Sequence, residues 1–232
     1  MKEMRNAVFS ANEQVTDVFV GFNGRPGEIP PSENRAPGSW CLVPRSRSDA
    51  MRESLRVQLE SHRAADASEA RSQFQILEFL NLASEPFSRA TLPGHITGSA
   101  IVVHPDGQEV LLVKHRKLNR WLQPGGHVHE HDESVLVTAV RETAEETGHV
   151  ACVALLHDRI LHVDVHEIPA RPEEAAHMHY DIRYLLSAKR DTPRITEDEV
   201  VEAEWFKEAE LERLNLDASL QSAIASARRH RR

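Results

Sequence analysis

The spacing of apolar and polar positions changes character along the chain. Residues 48–84 carry the period of helices. Met51, Leu55 and Leu59 recur every four residues, and Asp49 can cap their start. Ala70, Phe74, Leu77 and Leu80 make a second stripe, widened by Ile76 and Phe79, and the polar run 64–68 turns between the two. So broad a stripe needs a cover, which predicts a helical hairpin docked on the next domain of the chain. From His95 the period shortens to that of strands. Segments 96–104 and 109–114 flank an Asp106-Gly107 turn and predict a hairpin. Further strands are expected at 150–156, 160–167, 179–187 and 200–206, with helices at 133–147, 207–214 and 218–229. The expected division is a weakly structured segment 1–46, a helical hairpin extension 47–90 and an α/β domain 91–232. The first segment holds Pro26, Pro30, Pro31, Pro37 and Pro44 and shows little periodicity. Alternatively it drapes over the main domain through Val18, Phe19, Val20 and Trp40.

The helix at 133–147 changes the picture most. At 100° per residue, Leu136, Val140, Thr143, Ala144 and Thr147 share one side. Glu142, Glu145 and Glu146 gather on the other. Glu142 and Glu146 form a like-charge i,i+4 pair, which costs a few tenths of a kcal/mol. A solvated acidic face is one reading. A site for a hard divalent cation is the other, because clustered carboxylates are the ligands Mg²⁺ prefers. Gly125-Gly126 precede the helix, Asp132 and Glu133 open it, and Gly148 can close it.

Glu133, seven residues, Arg141-Glu142, then Glu145-Glu146 and Gly148 together resemble the Nudix box of Nudix hydrolases. The family form places five residues between its glycine and the first glutamate. Six lie between Gly126 and Glu133, and the two apolar slots hold Thr143 and His149. The resemblance covers about 94–215. It implies a Nudix-type α/β/α sandwich, here with an N-terminal helical extension. It also implies a Mg²⁺-dependent pyrophosphohydrolase, with Mn²⁺ possible, that cleaves a phosphoanhydride in a nucleoside diphosphate derivative or related compound. Glu142, Glu145 and Glu146 would hold the metal, and Arg141 would orient the carboxylates together with Glu133. A later loop supplies the base in many members, and Glu197 and Glu199 are the candidates, against a solvated loop. The alternative is a non-catalytic Nudix domain acting as a nucleotide sensor or interaction module. An isopentenyl-diphosphate isomerase of this fold needs a cysteine set in its own motif, which neither Cys41 nor Cys152 has.

Composition bounds these readings. At 232 residues, with 40% hydrophobic and 28% charged residues, the chain can bury one substantial core. A net charge of −8 argues against non-specific nucleic-acid binding, though not against a phosphorylated small-molecule substrate. No apolar run is long enough for a membrane span, and the start lacks the apolar core of a signal peptide. Cys41 and Cys152 lie far apart and read as reduced thiols. A cytoplasmic protein is expected, of oligomeric state the sequence leaves open. The basic end Arg228–Arg232 reads as a solvated helix terminus.

The remaining chemistry is basic or imidazole. The loop 114–120 carries Arg116 and Arg120 into the Gly125-Gly126 turn, either as phosphate contacts or as a solvated hairpin end. Histidines crowd the same half of the chain. His127, His129 and His131 alternate after the turn. His162, Asp164 and His166 share one strand face, as do His177, His179 and Asp181, and the two strands can be hairpin neighbours. Three readings stand: an ordinary polar sheet face; a substrate-contacting wall, with His127, His177 and His179 as substrate residues and with His162, His166, His177 and His179 protonated beside Asp164 and Asp181; or a second metal site for Zn²⁺ or Mn²⁺.

Overall fold

The computed structural model describes residues 46–148, 152–172, 174–189, 193–195 and 199–230. The expectations for 1–45, and those for Cys41, His149 and Glu197, lie outside the described residues. The helices α1 (Arg47–Ser61) and α2 (Ala67–Leu82) form where the apolar period placed them. Their details differ. Ser46 rather than Asp49 caps α1, its side chain accepting a hydrogen bond from the Asp49 amide. Asp66 caps α2 through the amides of Ser68 and Glu69.

The buried face of α2 is Glu69, Ser72, Ile76, Phe79 and Leu80. Ala70 and Phe74 point outward, with Phe74 60% exposed. The stripe is rotated because a buried carboxylate anchors the helix. Glu69 accepts hydrogen bonds from the Ala65 amide at 2.6 Å and the Val163 amide at 3.1 Å, and shares one with the His62 ring at 2.8 Å. These contacts hold the carboxyl below the usual range even though burial pushes it up.

The sheet is built on β1 (Gly94–Val103) and β7 (His177–Ser187), which run parallel. The outer edge of β1 is divided between β4 (Gly125–His127) and β2 (Glu109–His115). The outer edge of β7 is divided between β6 (His162–Ile168) and the short β5 (Val153–Ala154). β2 also pairs with β3 (Arg120–Leu122) and β8 (Val200–Lys207). Neither β3 nor β4 was expected, since three-residue strands are too short to show alternation. Within 150–156 only Val153–Ala154 is described as strand.

Alternation on β1 sorts the core into two. Ile96, Ala100 and Val102 pack with Val135 and Ala139 of α3 (Val135–Thr147) and with Met51, Leu55, Ile76 and Phe79 of the hairpin. Ile101 and Val103 pack on the opposite face with Leu220, Ala223 and Ile224 of α5 (Ala218–Arg229). A short α4 (Glu208–Leu211) replaces the longer helix expected at 207–214. The result is the expected α/β/α sandwich with its N-terminal helices. The hairpin docks through core contacts: Phe79 stacks on Tyr180 with ring centroids 4.0 Å apart, and the Tyr184 hydroxyl donates to Gln58 at 3.0 Å. No helix among the described residues is long and apolar enough to cross a membrane.

Candidate functional site

The helix α3 begins later than expected. Ser134 caps it, accepting from the Val137 amide, and Gly148 closes it with φ 73°, a left-handed conformation that favours glycine. Its buried residues are Val135, Thr138, Ala139, Thr143 and Thr147, while Leu136, Val140 and Ala144 are only partly covered. Thr143 packs in the apolar slot by turning its hydroxyl onto the Ala139 carbonyl at 2.7 Å.

Arg141 organises the acidic face. Its Nη1 donates to Glu142 at 2.8 Å and Glu145 at 2.7 Å, and its Nη2 donates to the His127 carbonyl at 2.8 Å. Its other partner is Asp132, at 3.2 Å from Nε and 3.0 Å from Nη2. This corrects the expectation for Glu133, which stands exposed before the helix cap. Asp132 is buried and also accepts from the His129 amide and the Thr138 hydroxyl. Burial alone would raise its carboxyl; these bonds, that from Arg141 foremost, lower it. Counting to Asp132 restores five residues after Gly126. The extra residue of the box therefore lies between this acid and the helix, not in the loop before it.

The Gly125-Gly126 turn lies against the same helix. The Gly125 amide donates to Glu146 at 3.0 Å. A Cβ at Gly126 would come within 2.6–2.7 Å of the Glu142 carboxyl group, so only glycine lets that group lie against β4. Glu142, Glu145 and Glu146 are thus held side by side, the first two by one guanidinium and the third by a main-chain amide. An all-oxygen set of this kind fits Mg²⁺ and gives a softer ion little reason to prefer it. A cavity of about 620 Å³, linked to this set through Asp132, is lined by Arg47, Met51, Phe87, Arg89 and Val128, among others. Arg47 also donates to the carbonyls of Glu130 and His131, tying the N-terminal helix to this loop.

The basic loop has partners of its own. Arg120 pairs with Asp217 at 3.7 Å, and the Arg116 amide donates to the Glu199 carbonyl at 2.7 Å. The Glu199 carboxylate pairs with Lys117 at 3.6 Å and lies 3.9 Å from His115.

The histidine strands are neighbours, as their alternation anticipated. β6 and β7 pair His166 with His179 and Asp164 with Asp181. Register with β1 and β4 adds His95 beside His179, and Thr97 between Asp181 and His127. Asp181 is buried and fully engaged by Thr97, Ser99, Gln123 and Arg183 at 2.9–3.2 Å. The rings of His95, His127, His177 and His179 form a cluster beside this network.

Burial, reinforced by the Arg89 charge at His95 and His127 and by the neighbouring imidazoles, pushes His95 down to about 4 and His127 to about 3, and holds His179 well below the usual range. These shifts favour neutral rings at His95, His127 and His179. Only in His166 does the Asp164 bond outweigh burial and raise the imidazole. His95 was missed in the sequence. Its signal was the polar alternation His95, Thr97, Ser99 on an otherwise apolar strand. His95 is fully buried, and neither ring nitrogen has a hydrogen-bond partner. Such an orphaned ring costs about 1–3 kcal/mol. Cys152 is half-buried, and burial raises its thiol pKa to about 11, which makes it a poor nucleophile.

No curated relative matches the chain. Among solved structures, the NUDIX domain of Shewanella oneidensis NrtR, complexed with ADP ribose, is 23% identical with a TM-score of 0.45, covering 66% of this chain and 96% of that one. A C. elegans Ap4A hydrolase is 16% identical with a TM-score of 0.45, covering 56% and 93%. A MutT NUDIX hydrolase from Burkholderia pseudomallei is 24% identical with a TM-score of 0.43, covering 56% and 95%. The family profile described as NUDIX domain matches residues 94–226, more than half of the sequence, and the chain therefore belongs to the NUDIX family.

Proposed function

We propose that the protein is a Mg²⁺-dependent hydrolase of phosphoanhydride bonds in nucleoside diphosphate derivatives or related phosphorylated small molecules. The observation that carries this reading is the set of three α3 carboxylates gathered over the Gly125-Gly126 turn by Arg141 and the Gly125 amide. Glu142, Glu145 and Glu146 would hold the metal, or Mn²⁺ in its place. Bound there, the ion would neutralise non-bridging phosphate oxygens and activate the attacking water. Arg141 and Asp132 position the carboxylates. Gly126 leaves room for the Glu142 carboxylate against the turn. Arg116 and Arg120 are the proposed outer phosphate contacts. The cavity between α1 and the 128–132 loop, with apolar Met51 and Phe87 beside Arg47 and Arg89, suits the organic portion of the substrate.

The test is product release from a panel of nucleoside diphosphate derivatives, with Mg²⁺ and with EDTA. Glu145→Gln and Glu146→Gln should each lower kcat at least ~10²-fold, about 3 kcal/mol of transition-state stabilisation. Full activity in EDTA, or in both variants, overturns the proposal. Tight binding of a nucleotide with no turnover under any metal would favour the sensor or interaction module instead.

A further inference from the structure

We propose that His95, His127 and His179 form a second metal site, for a zinc-class transition metal, sharing no ligand with the α3 carboxylates. One ring nitrogen from each lies within 4.8 Å of the other two. The ring centroids of His95 are 4.9 Å from those of His127 and His179, which are 5.3 Å from each other. Three imidazoles on one tetrahedral zinc, with Zn–N of 2.0–2.1 Å, place their centroids about 5 Å apart. The triad's centroids have that spacing, and its ring nitrogens, within 4.8 Å of one another, would draw in toward the ion on binding.

The bonding of the rings points the same way. His95 is fully buried with both nitrogens unpartnered. A metal would account for one of the two, the lone-pair nitrogen, whose missing partner would be a cation and not a donor. His177 adjoins the triad, with its Nε2 3.3 Å from the Nε2 of His179 and its Nδ1 2.9 Å from the Ala175 carbonyl. If Nδ1 donates to that carbonyl, Nε2 is left as a lone pair facing another imidazole. The edge of a tetrahedron of zinc-bound nitrogens is also about 3.3 Å. Imidazole sets of this kind select zinc, copper or nickel over Mg²⁺. The ligands come from β1, β4 and β7, so a bound ion would fix β4, and with it the Gly125-Gly126 turn, to the centre of the sheet.

Cobalt is the probe. Metal-stripped, untagged protein, titrated with Co²⁺, should take up one tightly held equivalent with the intense visible absorption of a four-coordinate, nitrogen-ligated ion. Zn²⁺ should displace it and raise Tm. His95→Phe and His179→Phe keep an aromatic ring and remove a ligand, and each should weaken Zn²⁺ binding at least ~100-fold. Glu145→Gln should bind Zn²⁺ as wild type does, which separates this site from the proposed Mg²⁺ site. Absence of the Co²⁺ band in wild type, or Zn²⁺ binding to His95→Phe as tight as to wild type, overturns the proposal. Should the phenylalanine variants not fold, X-ray absorption of the zinc-loaded wild type decides, and fewer than three imidazole ligands refutes the site.

Discussion

Asp132 holds the Arg141 guanidinium with both carboxylate oxygens, at 3.0 and 3.2 Å, while the adjacent Glu133 faces solvent. Asp132→Asn leaves a largely buried guanidinium short of one countercharge. We expect it to cost about 2–3 kcal/mol of unfolding free energy, below the full penalty of a buried pair because Arg141 keeps two glutamates. Glu133→Gln should stay within about 0.5 kcal/mol of wild type. Denaturant unfolding of the two variants checks this, and equal losses would refute the assignment.

A Cβ at Gly126 would meet the Glu142 carboxyl group at 2.6–2.7 Å, so that carboxyl group must shift. Gly126→Ala should therefore displace Glu142 and raise the Mg²⁺ concentration for half-maximal activity about 10-fold or more. A metal titration unchanged in this variant would exclude Glu142 from the metal site.

The N-terminal helices are held by particular side chains. Phe79, 7% exposed and stacked on Tyr180, should cost about 3–5 kcal/mol on truncation to alanine. Phe74→Ala, at a 60% exposed position, should change stability by less than about 0.5 kcal/mol. Removal of residues 1–88 should expose the Tyr180 face and yield aggregating protein. A soluble product with unchanged Tm would make the hairpin an independent module.

Glu69 gives a pH dependence of definite sign. Its carboxyl is lowered from 4.5 in the folded chain, so its stabilising contribution is present above that value and is lost as pH falls through the lower folded value. Wild type should lose stability on acidification past 4.5 more steeply than Glu69→Gln, which should already be weaker at neutral pH. Parallel acid limbs for the two proteins, measured by chemical unfolding, would show that Glu69 contributes no such linkage.

Much of the helical architecture was legible, but not the faces in detail. The range of α5 was readable from its period alone. The apolar period also located α2, yet placed Phe74 inside, because nothing local reveals that Glu69 finds His62 and the Val163 amide. Similarly, β4 shows no pattern of its own. It is a strand because β1 offers it Thr97, Gly98 and Ser99 as partners.

What the sequence determined by itself was set by short-range geometry. The 3.6-residue repeat places Glu142, Glu145 and Glu146 on one face of α3 wherever that helix docks, and the period of two places His177, His179 and Asp181 on one side of β7. The tertiary structure decided which acid reaches Arg141, since the Ser134 cap and the buried Thr138 turn Asp132 inward and leave Glu133 outside. It also decided that His95 joins His127 and His179. That meeting depends on strand register between β1, β4 and β7, and register is fixed by packing of the whole sheet against the helices on either face.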